Sequence, residues 1–128
     1  AVILFDIDNF KQINDTYGHD EGDRVLVKTA AMLQNEFKDT PHTAGRWGGD
    51  EFLVIISKKR DKEIESIVEA ILQKIRMIKP DKNYRLSVSI GWSLLTEGDS
   101  LRSLLKRADI NLYKAKTSGK NRACGDLP

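Results

Sequence analysis

Three short stretches of the sequence hold side chains of a kind and spacing that could do chemistry. The first is DIDNFKQIND, residues 6–15. Asp6 and Asp8 stand two apart at the end of an apolar run, and strand alternation points both to the same face. Carboxylates at a strand end suit a hard cation such as Mg²⁺, which takes few protein oxygens and completes its shell with water and phosphate. Lys11 follows at the start of a helical turn, where free backbone N–H groups and an ammonium can hold phosphate. A D-x-D alone is more often a solvated acidic loop. An EF-hand is excluded, because counting from Asp6 puts Phe10 at a ligand position and Lys11 at the glycine position.

The second stretch is GHDEGD, residues 18–23. By itself it reads as a glycine-bearing loop and helix cap, with His19 more often structural than catalytic. Asp23 adds a capability, since a carboxylate can accept from the N1–H and N2–H₂ edge of guanine, which adenine lacks. The third is RWGGDEFLVII, residues 46–56. Gly48-Gly49 makes a tight turn that brings Asp50 and Glu51 to a hairpin tip, with no side chain blocking a ligand. If that hairpin lies beside the first strand, Asp50 and Asp6 converge on a metal. Each signal is weak singly, and together they describe a metal-nucleotide site.

The elements that must position these residues follow from hydrophobic period. Residues 1–7 read as a buried strand. Leu26, Ala30, Leu33 and Phe37 form a helix stripe, with Asp20 and Glu21 suiting its N-terminus. Strands are expected over 42–47 and 51–57, joined through the glycine pair. A second helix runs from Ile64 through Ile78 and ends at Pro80. Residues 84–94 read as a strand with a bend at Gly91. Leu101, Leu104, Leu105, Ala108, Leu112 and Ala115 mark a third helix that stops near Gly119, and a short strand is expected at 122–124. The hairpin demands antiparallel neighbours. The fold class is therefore α+β (mixed α/β), a mostly antiparallel central sheet of about five strands flanked by helices, in one domain over 1–128.

Bulk composition narrows the class further. Apolar residues make up 40% and charged residues 31%, ordinary for a globular domain, and a net charge of +2 gives no footing for nucleic acid or membrane. No apolar run approaches the roughly 20 residues that span a bilayer. The single cysteine, Cys124, has no internal partner, which fits a reducing cytoplasmic compartment. The sequence opens directly on a buried strand, as expected of a domain cut from something longer.

With these residues on the page, the sequence resembles the GGDEF domains of the diguanylate cyclase family of bacterial signalling. The motif GGDEF stands intact at 48–52, and FDIDNFKQINDTYGHDEGD (5–23), SVSIGWS (87–93) and RADINLYKAKTSGKN (107–121) occur in the family's order. The resemblance covers nearly the whole chain. It implies a fold related to nucleotidyl-cyclase and polymerase palm domains, and a reaction joining two GTP into cyclic di-GMP with release of two pyrophosphates. It further implies that Asp6, Asp50 and the backbone carbonyl of Ile7 hold Mg²⁺, with Mn²⁺ as an alternative. Asp50 would also assist deprotonation of the attacking hydroxyl. Lys11 would stabilise phosphate charge, and Glu51 would support the metal or the partner's substrate. Asn14 and Asp23 would bind guanine, with Phe10, His19, Gly48 and Gly49 lining the substrate. Lys116 and Lys120 would reach the triphosphate. A homodimer is the implied catalytic unit, driven by a sensor or regulatory domain outside this chain.

The sequence departs from the family pattern in three places. DTPH, Asp39 to His42, replaces an R-x-x-D that serves as an inhibitory product site, so that site is expected to be absent. GKN replaces the commoner GRN, so Lys120 keeps the charge and loses the bidentate fork. The helical segment with an L-T-G-L-x-N-R signature that usually precedes the first strand is not in this sequence, and its absence is expected to expose apolar surface. The main alternative is a non-catalytic GTP-binding module that regulates a partner domain. The conjunction of Lys11 with the carboxylates favours the enzyme.

Overall fold

The structure is a computed structural model that describes residues 1–57 and 61–126. Its elements run β1 (Val2–Ile7), α1 (Phe10–Tyr17), α2 (His19–Phe37), β2 (Thr43–Gly48), β3 (Glu51–Ile55), α3 (Asp61–Met77), β4 (Val88–Ser93), α4 (Leu101–Thr117) and β5 (Arg122–Cys124). The five strands form one sheet in the order β2-β3-β1-β4-β5. β1 lies in the middle, antiparallel to β3 and to β4, and only the β4–β5 pair is parallel. The α+β expectation and the predicted hairpin are both met.

β1 is buried along its whole length because both faces of the sheet are covered there. Ile3, Phe5 and Ile7 join the larger core with the apolar stripes of α2 and α3. Val2 and Leu4 face the other way, against Leu104, Ala108 and Leu112 of α4. Phe5 and Phe52 are register partners and stack with centroids 5.2 Å apart, tying β1 to the hairpin. β4 alternates in the same sense. Val88, Ile90 and Trp92 enter the larger core, while Ser89, Gly91 and Ser93 lie beneath α4.

α2 begins at His19, with Asp20 and Glu21 in its first turn as expected, because Gly18 at φ 94° breaks the chain direction and the helix starts at once behind it. Three local expectations change. α1 is a full two-turn helix where the sequence promised only a turn. Residues 84–87 do not pair as strand: Tyr84 is turned to stack on Tyr17, and its hydroxyl donates to the buried Glu21 at 2.7 Å. Gly91 is no bend either. A Cβ there would lie 2.1 Å from the Leu112 nitrogen and 2.2 Å from the Ala108 oxygen, so glycine is what lets α4 settle on β4.

α4 is fixed at its N-terminus and along its middle. Ser100 caps it in a reciprocal box with Ser103, and Asp99 grips Arg107 through two bonds of 2.6 and 2.9 Å. The buried Asn111 amide donates to the Trp92 carbonyl and to Asp126, both at 2.9 Å. Over β2 and the outer part of β3, no described helix covers the α4 side of the sheet. Trp47 and Ile55 are exposed there, beside the half-buried Leu53.

Candidate active site

The middle of the sheet delivers the acidic residues. Asp6 is the last but one residue of β1 and the register partner of Glu51, the first residue of β3. The Asp50 carbonyl accepts from the Ile7 N–H at 3.4 Å, so the hairpin tip is stitched to the end of β1. The tip is a two-residue turn at Gly49–Asp50 rather than at the expected Gly48-Gly49, because Gly48 stays in β2 as the pairing partner of Glu51 after a bulge at Trp47. Arg46 holds its shape by donating to the Gly49 carbonyl at 2.7 Å, a role the sequence did not reveal. Gly49 is left-handed at φ 49°, which explains a glycine. Gly48 needs no such backbone, and a Cβ there meets nothing within 4 Å. None of the described residues fills the space in front of it.

Asp6 is the electrostatic centre. Its carboxyl is nearly inaccessible, pairs through Oδ2 with the Lys116 ammonium of α4, and leaves Oδ1 buried without a hydrogen-bond partner. Burial pushes its pKa up to about 6; Lys116 pulls it down, and Asp50 and Glu51 add like-charge repulsion. Glu51 is also raised, first by burial and then by Asp109 on α4. For Lys116, burial favours the neutral form, but Asp6, Asp50 and Glu51 outweigh it and raise its pKa. Asp6, Asp50, Glu51 and Lys116 thus form one coupled group; the sequence paired Asp6 with Asp50, and gave Lys116 only as a triphosphate contact implied by resemblance. Asp109 is the member it missed. The available signal was helix spacing, since Asp109 lies two turns before Lys116 on the same face.

A second part lies between α1 and α2. A Cβ at Gly22 would fall 1.8 Å from Asn14 Oδ1 and 3.3 Å from the Phe10 ring, so glycine permits close packing of the two helices. Asn14 Oδ1 is buried there without a partner. Asp23 follows Gly22 directly and is exposed, with His19 exposed one turn earlier on α2. Lys11 is exposed in the first turn of α1. Lys120 lies past the end of α4 and donates to the Asn9 side chain at 2.7 Å, at the N-cap of α1.

Asp8 is placed differently from its neighbour Asp6. Its carboxylate accepts from the Ser87 and Ser89 hydroxyls, both at 2.6 Å, and from the Asn121 N–H at 2.9 Å. It is thereby withdrawn from the cation-binding pair read from D-x-D. Among the described residues no group of three or more His, Cys, Asp or Glu is placed to hold a metal alone. A buried carboxylate oxygen without a partner, beside Asp50, instead fits a cation that arrives partly coordinated by phosphate and water.

The arrangement is a mostly antiparallel sheet backed by helices, with a glycine hairpin that presents carboxylates beside the middle strand. The family model for the diguanylate cyclase, GGDEF domain, matches residues 1–122, and the chain belongs to that family. A Vibrio cholerae diguanylate cyclase is 38% identical over 127 residues, which cover 97% of this chain and 39% of that protein. The active GGEEF domain of a diguanylate cyclase from Vibrio cholerae superposes with a TM-score of 0.89 at 36% identity, covering 99% of this chain and 82% of that one. The GGDEF domain of DgcB from Caulobacter crescentus, solved in complex with c-di-GMP, gives 0.89 at 30% identity, covering 97% and 75%. Among the described residues no helix is long and apolar enough to cross a membrane.

Proposed function

We propose that this domain condenses two molecules of GTP into cyclic di-GMP with release of two pyrophosphates, in a Mg²⁺-dependent reaction between two facing copies of the chain. The observation that carries the reading is the coupled group at the hairpin tip. Asp6 offers a buried oxygen with no partner, Asp50 and Glu51 crowd it with negative charge, and Lys116 balances them. Such a group gains from a divalent cation and polyphosphate together. The open approach to Gly48 is the complementary feature, since among the described residues no atom lies within 4 Å of where its Cβ would be.

Asp6, Asp50 and the Ile7 carbonyl would hold the metal, Mg²⁺ or Mn²⁺. When bound, it supplies Lewis-acid stabilisation of the attacking and leaving oxygens of an in-line displacement. The remaining work falls to the chain. Asp50 takes the proton from the ribose 3′-hydroxyl as that oxygen attacks the α-phosphorus of the other GTP and its pyrophosphate departs. Lys11, Lys116 and Lys120 hold the phosphates and offset the charge spread over their oxygens. Asn14 and Asp23 read the guanine edge, with Phe10 and His19 against the nucleotide. Asp23 as an acceptor selects a base carrying N1–H and N2–H₂. Glu51 supports the metal or the facing substrate. One domain positions one GTP, so both bonds form only when two domains face each other about a two-fold axis. A sensor or regulatory domain elsewhere in the protein would set that encounter, and the reaction belongs in the cytoplasm, where GTP is found.

The deciding experiment incubates the full-length protein with GTP and Mg²⁺ and resolves products by chromatography. Cyclic di-GMP and pyrophosphate in a 1:2 ratio are expected, and Asp50→Ala should lower the rate by at least about 10³-fold. Unchanged turnover in that variant would remove the metal and base assignment. GTP binding without product from the wild type would favour the regulatory module.

A further inference from the structure

Asp8 is the buried carboxylate of the first acidic stretch that the proposed chemistry leaves without a task. It is 7% exposed. Its three donors come from two places: Ser87 and Ser89 lie just before and within β4, and the Asn121 N–H belongs to the turn between α4 and β5. That turn has an unusual backbone. Gly119, Lys120 and Asn121 have φ values of 131°, 63° and 50°, three consecutive positive angles, two of them in residues with a side chain. Non-glycine residues keep such conformations where their surroundings over-determine them, and such sites cluster at function.

The surroundings here converge on Asn121 and Lys120. Asp8 holds the Asn121 amide from the inside at 2.9 Å. Arg76 on α3 holds the same residue from the outside, donating to its Oδ1 at 2.8 Å and to its carbonyl at 3.1 Å. The Lys120 N–H reaches back to the Ala115 carbonyl at 3.0 Å, and Arg122 donates to the Lys120 carbonyl at 3.0 Å. The consequence is the position of one ammonium: Lys120 is turned to the N-terminus of α1 and donates to Asn9. Asn9 is itself left-handed, at φ 59°. An extended exit from α4 would carry Lys120 elsewhere.

We propose that Asp8 is a positioning residue: by holding the Asn121 amide it fixes the left-handed exit of α4, so that Lys120 faces the nucleotide's terminal phosphates at the start of α1. This rests on the reading above, in which Lys120 is a phosphate contact. Asp8 itself touches neither phosphate nor metal. Its task is hydrogen-bond acceptance, and an uncharged acceptor of the same shape can perform it.

The test measures dissociation constants of GTP and GMP for the full-length protein in EDTA, by calorimetry, for the wild type, Asp8→Ala, Asp8→Asn and Arg76→Ala. Asp8→Ala should weaken GTP about tenfold and leave GMP within about twofold. Asp8→Asn should return GTP to within about threefold of wild type, its amide oxygen serving the Asn121 N–H while its NH₂ turns to the Ser89 hydroxyl. Arg76→Ala, on the exposed face of α3, removes the outer clamp and should weaken GTP about threefold without affecting GMP; it carries the test if Asp8→Ala fails to fold. Equal losses for GTP and GMP would make the network merely structural. An effect of Asp8→Ala seen only when Mg²⁺ is added, and shared by Asp8→Asn, would make Asp8 a metal ligand. A wild type that binds GTP no more tightly than GMP overturns the phosphate reading, and this inference with it. A selective wild type whose selectivity survives in Asp8→Ala and Arg76→Ala overturns this inference alone.

Discussion

A carboxyl buried beside two other acids is unstable in its charged form unless a cation is supplied, and Asp6 shows the balance. Lys116 compensates in part, yet burial and the nearby acids still push the pKa from 3.8 up to about 6. The sign follows from linkage. Below pH 3.8 the carboxyl is protonated in both states; between there and 6 the folded chain keeps a proton that the unfolded chain has released. In the metal-free protein this group's stabilisation is therefore complete in acid and is lost as pH rises through about 6, a change of roughly 3 kcal/mol. Denaturant titrations of wild type and Asp6→Asn at pH 4 and pH 7 should show the variant gaining relative stability at the higher pH. Parallel pH dependence of the two would show that Asp6 carries no such shift. Beside the same group, Asp109 raises Glu51. It marks where a second helix adds charge that the hairpin motif alone does not contain.

At the scale of elements, two glycines separate packing from recognition. At Gly91 the atoms that would meet a new Cβ are the backbone of α4, at 2.1 and 2.2 Å, and backbone cannot step aside locally. Gly91→Ala should therefore destabilise the fold by about 3 kcal/mol, read as a lower midpoint in denaturant. Because α4 carries Lys116, activity should fall with it. At Gly22 the obstacle is the Asn14 side chain, which can turn away. Gly22→Ala gains up to about 1 kcal/mol of helix propensity, so its midpoint should change little. The displaced Asn14 should cost preference for GTP over ATP, measured as the ratio of their binding constants. A variant that melts early while keeping its base preference would show that α1–α2 packing, not base recognition, sets this glycine. The third long helix shows the same coupling: its serine capping box, the Asp99–Arg107 pair and Asn111 hold α4 along its length, and the left-handed exit then aims Lys120.

At the scale of the molecule, the proposed reaction needs two facing copies of the chain, each positioning one nucleotide. Specific activity should therefore rise with protein concentration through the dimerisation range, with second-order behaviour at low concentration. Turnover per chain that is independent of dilution, in a protein shown to be monomeric, would contradict a two-fold catalytic unit. The turn at Asp39 to His42 is occupied with structural work, with Asp39 left-handed at φ 61° and His42 Nδ1 accepting from the Ser57 N–H at 3.1 Å. Cyclic di-GMP should not bind saturably there, and Asp39→Ala should leave any product inhibition unchanged.

Residue chemistry that is local in sequence was legible without coordinates. The apolar run of β1, the stripes of α3 and α4 and a hairpin at the glycine pair follow from periods and turn residues that act over a few positions, while the grouping of Asp6 with Asp50 was conditional on where that hairpin lies. Lys116 and Lys120 entered through resemblance, and the structure joins Lys116 to Asp6 across a separation no local pattern encodes. What tertiary structure alone decided has a common physical cause. Gly91 serves close approach rather than a bend because of where α4 lies. Tyr84 leaves the strand because Tyr17 and Glu21 are in reach. Asp6 and Asp8, identical in type and two residues apart, part company because Lys116 meets one and the Asn121 turn captures the other. A sequence states which groups can donate, accept or carry charge; only packing brings partners from distant segments close enough to choose among them.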